Sequence, residues 1–291
     1  MKSKVYFTKE ITSESLVNLY KQLGVSLTGN VAVKLHSGEE GNQNYMKPEF
    51  VKEIIEYVGG TVVECNTAYE GERNTTEKHE KLMEKHGWSK YFKVDILDSE
   101  GEVVLKNLNG AVIQKNMVGS KMKNYDSMLV LSHFKGHPMG GFGGALKNIS
   151  IGLASSNGKR YIHTGGKENA TFEDMFEVDH NLFLKSMADS AKTIADFYGD
   201  KIVYINAMVN MSVDCDCCHV AEDPCMKDIG ILASTDPVAL DQACIDLVYN
   251  SKDSGKDKLI ERIESRNGLL TIDSAFEQKV GTKEYELISI D

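Results

Sequence analysis

Short β-branched runs alternate with stretches of helical period along most of this chain, and that alternation restricts it to folds in which a largely parallel sheet is covered by helices. The apolar runs lie at 4–8, 31–36, 61–65, 128–132 and 202–209, each stopping at a polar or glycine-rich turn. Helical spacing occupies 13–23, 48–57, 75–86, 171–198 and 236–249, with Ser/Glu capping chemistry at the first and Pro48 opening the second. Segment 101–109, flanked by Val and Leu residues, reads as a hairpin insertion. The expected class is α/β, with mostly parallel or mixed sheets flanked by helices. A chain of 291 residues suits one large domain (1–291), with room for two lobes near 1–130 and 131–291 and a site between them. Sheets of this kind place ligands beyond the carboxyl ends of their strands. Three polar segments fall there, at 36–42, 66–73 and 133–144.

The densest of them is SHFKGHPMGGFGGALKN, residues 132–148. Gly136, Gly140, Gly141, Gly143 and Gly144 leave backbone amides unshielded. The ALKNISIGLA stretch that follows can start a helix whose N-terminal dipole favours an anion. Lys135 and Lys147 add positive charge, and His133 and His137 can move a proton or bind a metal. A lysine desolvated beside other cations loses proton affinity and can serve as a base. The spacing is neither a Walker A loop nor G-x-G-x-x-G, so no dinucleotide is implied. The expected catalytic residues are Lys135, His137 and Lys147, with Gly140, Gly141, Gly143, Gly144 and Asn148 around the ligand. A tight strand-to-helix turn with small residues for packing is the plainer alternative.

A second cluster, DCDCCHVAEDPC at 214–225, carries Cys215, Cys217, Cys218 and Cys225. Cys215 and Cys218 form a C-x-x-C pair suited to one tetrahedral ion or to the edge of an iron–sulfur cluster. Cys217 adjoins Cys218, so both on one ion would be strained, and Cys225 after Pro224 is a natural third ligand. The spacing matches neither the bacterial ferredoxin run nor a zinc ribbon. An iron–sulfur cluster, zinc or another single ion, and a redox thiol pair all stay open, with Cys65, His219 or another subunit as a source of a fourth ligand. Lone Cys65 and Cys244 in apolar runs read as core residues.

Around these centres, KLHSGEEGNQNY at 34–45 offers Lys34, His36, Glu39 and Asn42 as a pocket rim, and Arg73 could fork onto a carboxylate or phosphate. His163 sits near Lys159, Arg160 and Lys167 and could complete an anion site. Asp236 fits either a pocket position or a helix cap, and Asp241 lies on the first turns of the same helix.

The formal net charge is −10 and the pI near 5.4. No basic stripe appears, so no nucleic acid partner is expected. No apolar run reaches membrane-spanning length, and MKSKVYFTKE lacks an export signal, so a cytoplasmic protein with reduced thiols is expected.

Three segments together, VAVKLHSGEEGN (31–42), residues 132–148 and DIGILASTDPVALDQAC (228–244), resemble the DUF362 family, a domain of unknown function, over roughly residues 1–275. Members are often described as iron–sulfur proteins, although this chain lacks an eight-cysteine ferredoxin-like module. The resemblance marks Lys34, His36, Glu39, Asn42, Arg73, Lys135, His137, Lys147, Asn148 and Asp236. The stretch from His137 to Lys147 is also similar to nickel-pincer lactate racemases, which implies hydride or proton movement at a 2-hydroxy acid. The expectation is an iron–sulfur or metal-dependent enzyme, an oxidoreductase or acid–base catalyst, acting on a small anionic substrate, with an electron-transfer partner if the centre is redox-active. The rivals are a zinc-dependent hydrolase or isomerase, and a noncatalytic metal or ligand carrier.

Overall fold

The computed structural model describes residues 2–291. Its first half runs β1 (Ser3–Thr8), α1 (Ser13–Gln22), β2 (Val31–Lys34), α2 (Pro48–Val58), β3 (Thr61–Glu64), α3 (Thr76–Lys85), α4 (Trp88–Tyr91), β4 (Val94–Ile96), β5 (Glu102–Lys106) and β6 (Lys115–Gly119). The chain continues through β7 (Ser127–His133), β8 (Lys135–His137), β9 (Gly141–Gly143), α5 (Ala145–Ser150), α6 (Ser156–His163) and α7 (His180–Tyr198). It closes with β10 (Ile202–Met208), β11 (Gly230–Ser234), α8 (Pro237–Tyr249), α9 (Lys256–Ser265), α10 (Leu269–Glu277) and β12 (Tyr285–Ser289).

Eight strands form one sheet in the order β12-β1-β11-β10-β7-β2-β3-β4. The run β10-β7-β2-β3-β4 is parallel throughout. β11 is antiparallel to both its neighbours, and β12 runs parallel to β1 at the edge. Residues 1–130 and 131–291 both supply strands to this sheet, and β7 straddles the division. The mixed, mostly parallel α/β class is as the alternation implies.

Successive side chains of a strand point to opposite faces, and the core follows that rule. Val33, Val62, Leu129, Leu131, Val203 and Ile205 pack with Leu16, Val51, Ile54 and Trp88 from α1, α2 and α4. Their neighbours Ala32, Val63, Met128, Val130, Ile202 and Tyr204 pack with Leu146, Ala188, Ile194 and Leu240 from α5, α7 and α8. The stretch 171–198 is not one helix: a single 3₁₀ turn at Glu173–Phe176 precedes α7, which Asp179 caps through the Asn181 amide. The hairpin is longer than 101–109, because β5 pairs antiparallel with β6 as far as Gly119. Among the described residues no helix is long and apolar enough to cross a membrane.

Parallel β2, β3, β7 and β10 all end at one edge of the sheet, which puts Lys34, Glu64 and His133 side by side. β11 runs the other way, so the residue beyond its end lies at the opposite edge. That residue is Asp236, and its carboxylate accepts from the Val238 and Ala239 amides as the cap of α8. Ser3 and Thr282 also donate to it. The reading of Asp236 as a ligand-binding residue is therefore corrected: the strand's direction makes it a structural cap.

Asp241, one turn further along α8, is fully buried and accepts from the Ala145 and Leu146 amides at 2.8 and 2.9 Å and from the Asn206 side chain at 2.7 Å. It caps α5 from a distant helix. A Cβ on Gly144, the residue before α5, would lie 2.4 Å from its Oδ1, so glycine is required there. Burial pushes the Asp241 carboxyl up to about 6, against the lowering hydrogen bonds of Leu146, Asn206 and Ala145. A folded-state value above the unfolded one means that this group's contribution is full below about pH 4 and falls as pH rises through about 6. In urea unfolding, the advantage of the wild type over Asp241→Asn is expected to shrink by roughly 3 kcal/mol between pH 4 and 7. A gap that does not change with pH would contradict this account.

Candidate functional site

The glycine segment folds as a small hairpin. β8 pairs antiparallel with β9, setting Lys135 opposite Gly143 and His137 opposite Gly141. Gly136 lies at its centre because a side chain there would meet the Val213 carbonyl at 2.3 Å, where the thiol loop packs against the hairpin. The Gly136 amide donates to the Ser212 carbonyl at 2.8 Å. The expected anion site on helix amides is overturned. The α5 amides are already bonded to Asp241, and Gly140 and Gly141 turn away from the cavity, Gly141 packing on Gly268.

The thiol loop, between β10 and β11, is clamped by the loop after β2. The Asn42 side chain donates to the Cys215 and Cys218 carbonyls at 3.2 and 3.0 Å, Gln43 to Ala221 and Asn44 to Glu222. Glu39 accepts from Arg73 at 3.1 Å and from Tyr69 at 3.0 Å, and its amide donates to the Asp216 carbonyl. Asn42 and Glu39 thus hold the loop and do not line the main cavity, which corrects their assignment as ligand-binding residues.

Asp216, between Cys215 and Cys217, is the centre of the site's electrostatics. Its buried carboxylate accepts from Lys135 Nζ at 2.7 Å and faces His133 Nδ1 at 2.8 Å. His133 and Lys135 hold the Asp216 carboxyl well below the usual carboxylate range despite its burial. Burial pulls the Lys135 amine down, but Asp216 and then Cys215 outweigh it, leaving the amine above its ordinary value. Lys135 is consequently a fixed cation and not the expected base. Burial lowers the proton affinity of another lysine of the site, Lys159, which donates to the Ala154 carbonyl. On the other side, Glu64 takes Lys34 at 3.0 Å and stands 3.7 Å from Arg73. Among the described residues Lys147 has no hydrogen-bonding or ion-pair partner for its amine.

These groups surround one cavity of about 680 Å³, lined by both centres: Lys135, His137, Gly143, Gly144, Lys147 and Asn148 from the glycine segment, Cys217 and Cys218 from the thiol loop. Lys34, His36 and Arg73 also reach it, with Lys159 and His163. One ligand atom each of His137, Cys215 and Cys217 lie within 4.8 Å of one another, a group that could hold a metal ion. The expected C-x-x-C pairing of Cys215 with Cys218 is not the compact one; Cys215 approaches Cys217, whose amide donates to its sulfur at 3.4 Å. Cys225 is turned away, its thiol donating to the Met211 carbonyl, so it is not the third ligand of this group. Burial raises the Cys215 thiol to about 11. For Cys217 the lowering hydrogen bond to Cys215 is outweighed by the Cys218 contact and burial, and its value is also about 11.

Two histidines present opposite faces of imidazole chemistry. His137 Nδ1 accepts from the Gly140 and Met139 amides at 2.8 and 3.1 Å, which leaves the proton on Nε2, 3.7 Å from the Cys217 sulfur. His163 Nδ1 donates to the Lys159 carbonyl at 2.7 Å, which leaves Nε2 with a free lone pair. Burial lowers both to about 4, with Lys147 assisting at His137, so both rings are neutral at pH 7. Asp216, Glu64 and the Phe172–Phe176 turn escaped the sequence reading; a carboxylate closing the apolar run of β3 was the one available signal for Glu64.

An α/β protein with its polar groups gathered at the carboxyl edge of parallel strands is the class that fold and site define. The chain belongs to the DUF362 family, a domain of unknown function, which residues 31–246 match. No curated protein compared with the chain matches it. In fold it is similar to the lactate racemase apoprotein from Thermoanaerobacterium thermosaccharolyticum, at 14% identity over 87% of this chain and 58% of that one, with a TM-score of 0.51. A structural-genomics protein from Thermotoga maritima matches at 10% identity over 88% of this chain and 58% of that one, with a TM-score of 0.46. The chain therefore spans less than two thirds of either protein, and the likeness to the racemase is one of fold.

Asp216→Ala leaves Lys135 buried without a counter-charge and is expected to cost about 3–5 kcal/mol in urea unfolding. Asn42→Ala, which removes two neutral hydrogen bonds to the thiol loop, is expected to cost about 1–3 kcal/mol.

Proposed function

We propose that the cavity is the active site of an enzyme that moves a proton at a small carboxylate substrate, with a metal ion held at the thiols of Cys215 and Cys217. The observation that carries the reading is the convergence at one cavity of the Cys217 thiol, which Cys215 adjoins, two neutral histidines of opposite tautomer, and the amines of Lys147 and Lys159, neither of which faces a carboxylate. The fold likeness to lactate racemase, together with the His137–Lys147 spacing, supports a 2-hydroxy acid as the substrate class.

Lys147 and Lys159 bind the carboxylate, since each is a cation or amine donor without a carboxylate partner in the chain. His163 accepts the substrate proton at Nε2 and returns it, while the Nε2–H of His137 donates a hydrogen bond to the oxygen on which negative charge develops, so neither ring must first change tautomer. Lys135, neutralised by Asp216, fixes the thiol loop against the hairpin beside the cavity. The donor set of soft thiols beside imidazole suits zinc, nickel or iron. When bound, such an ion would supply Lewis-acid polarisation of a substrate oxygen. A four-iron cluster draws on four thiolates, whereas Cys225 faces away and two thiols form the compact group, so a single ion is the better fit.

Anaerobically prepared protein is expected to hold about one zinc, nickel or iron ion per chain by elemental analysis, lost in Cys215→Ser and Cys217→Ser and kept in Cys225→Ser. His137→Gln is expected to retain the ion while slowing exchange of the C2 hydrogen of a 2-hydroxy acid in deuterated water by about 100-fold or more. Iron and sulfide in similar amounts would replace the single ion with a cluster. Loss of the ion from folded His137→Gln would make the ring a ligand and end its role as hydrogen-bond donor.

A further inference from the structure

The cavity is far larger than a three-carbon acid requires, and its lining is of two chemistries. About 680 Å³ falls in the ~300–1,000 Å³ range of sites that enclose much larger ligands. Lys147, Lys159 and His163 supply polar lining, while Pro138, Met139, Ile151, Phe172, Met175 and Phe176 supply apolar lining. Phe172 and Phe176 are 39% and 64% exposed, and their rings meet edge-to-face at 5.1 Å. Such an aromatic pair left open to water, continuous with a cavity, is a surface waiting for an apolar partner.

The pair is held in place. Met175 between them is buried, and the Asp174 carboxylate accepts from the Thr171 amide at 2.8 Å and from Lys167 at 2.5 Å. The single turn Glu173–Phe176 is thereby fixed against the preceding segment. Glu70 and Glu173 also line the cavity, and their charges disfavour a second anionic group on the ligand.

We infer that the substrate is a monocarboxylate with a bulky apolar body, an aromatic or long-branched 2-hydroxy acid, whose carboxylate sits at Lys147 and Lys159 and whose body packs on Phe172 and Phe176. This rests on the proposed anion-binding function of the same cavity and adds the substrate's other half. Charge complementarity fixes the head and the aromatic pair fixes the tail, so the two ends can be tested independently.

Calorimetric titration of the metal-loaded protein with lactate, 3-phenyllactate and the neutral 3-phenylpropane-1,2-diol separates the two ideas. Phenyllactate is expected to bind about 10- to 100-fold more tightly than lactate, and the diol no better than lactate. The double variant Phe172→Ala/Phe176→Ala, which touches exposed side chains and should melt with the wild type, is expected to bring phenyllactate down to the affinity of lactate and leave lactate unchanged. Lys147→Met is expected to weaken both acids about tenfold. Equal affinity for the two acids in the wild type, with the Lys147 effect intact, overturns the apolar-body inference and leaves the anion site standing. Tight binding of the diol overturns the division into head and tail. Failure of both acids to bind, or indifference of both to Lys147→Met, overturns the anion-site reading itself.

Discussion

A carboxylate that is 1% exposed stays ionised only with cations and donors against it, and Asp216 meets that condition by drawing three chain segments together. Lys135 comes from the hairpin, His133 from the end of β7, and Asp216 itself from the thiol loop. Its backbone carbonyl takes the Glu39 amide from the loop after β2 as a fourth connection. A buried ion pair of this kind adds little net stability compared with apolar packing, but removing one partner is costly, so the arrangement enforces a single geometry. Cys215 and Cys217 flank Asp216 in the chain, and their placement beside His137 follows from where that carboxylate is held.

The same logic divides the basic residues of the site. Lys34, Arg73 and Lys135 face Glu64, Glu39 and Asp216, so their charge is spent inside the protein. Lys147 and Lys159 have no such counter-charge, and they share the cavity with His163 and the hairpin. A sequence presents all five as equivalent cations near strand ends. Which ones remain for a ligand depends on acids 30 to 81 residues away along the chain for Lys34–Glu64, Arg73–Glu39 and Lys135–Asp216, and no local pattern encodes those pairings.

Local patterns did specify much of the sheet. The runs at 31–36, 61–65, 128–132 and 202–209 became β2, β3, β7 and β10, because a strand buried on both faces needs a continuous apolar run. The short edge strands β4 and β12 carry too few core residues to stand out, and β11 gave no warning that it would reverse direction. Lys135, His137 and Lys147 were legible because a dense glycine stretch with basic residues is improbable as packing alone. Asn42, Glu39, Cys225 and Asp236 were given ligand roles that geometry withdrew, for in each case the polar atom is satisfied by the protein itself.

The amino-acid sequence alone determined the α/β class, the site's location at the ends of parallel strands, and the two polar segments that build it, since each depends on periodicity or composition within a few residues. The tertiary structure alone decided which thiols converge, which lysines lack a carboxylate partner, which imidazole nitrogen keeps its proton, and that an exposed aromatic pair lines the cavity. Those outcomes depend on hydrogen bonds and charges brought together across the fold, and such contacts exist only once the sheet has set the strand ends side by side.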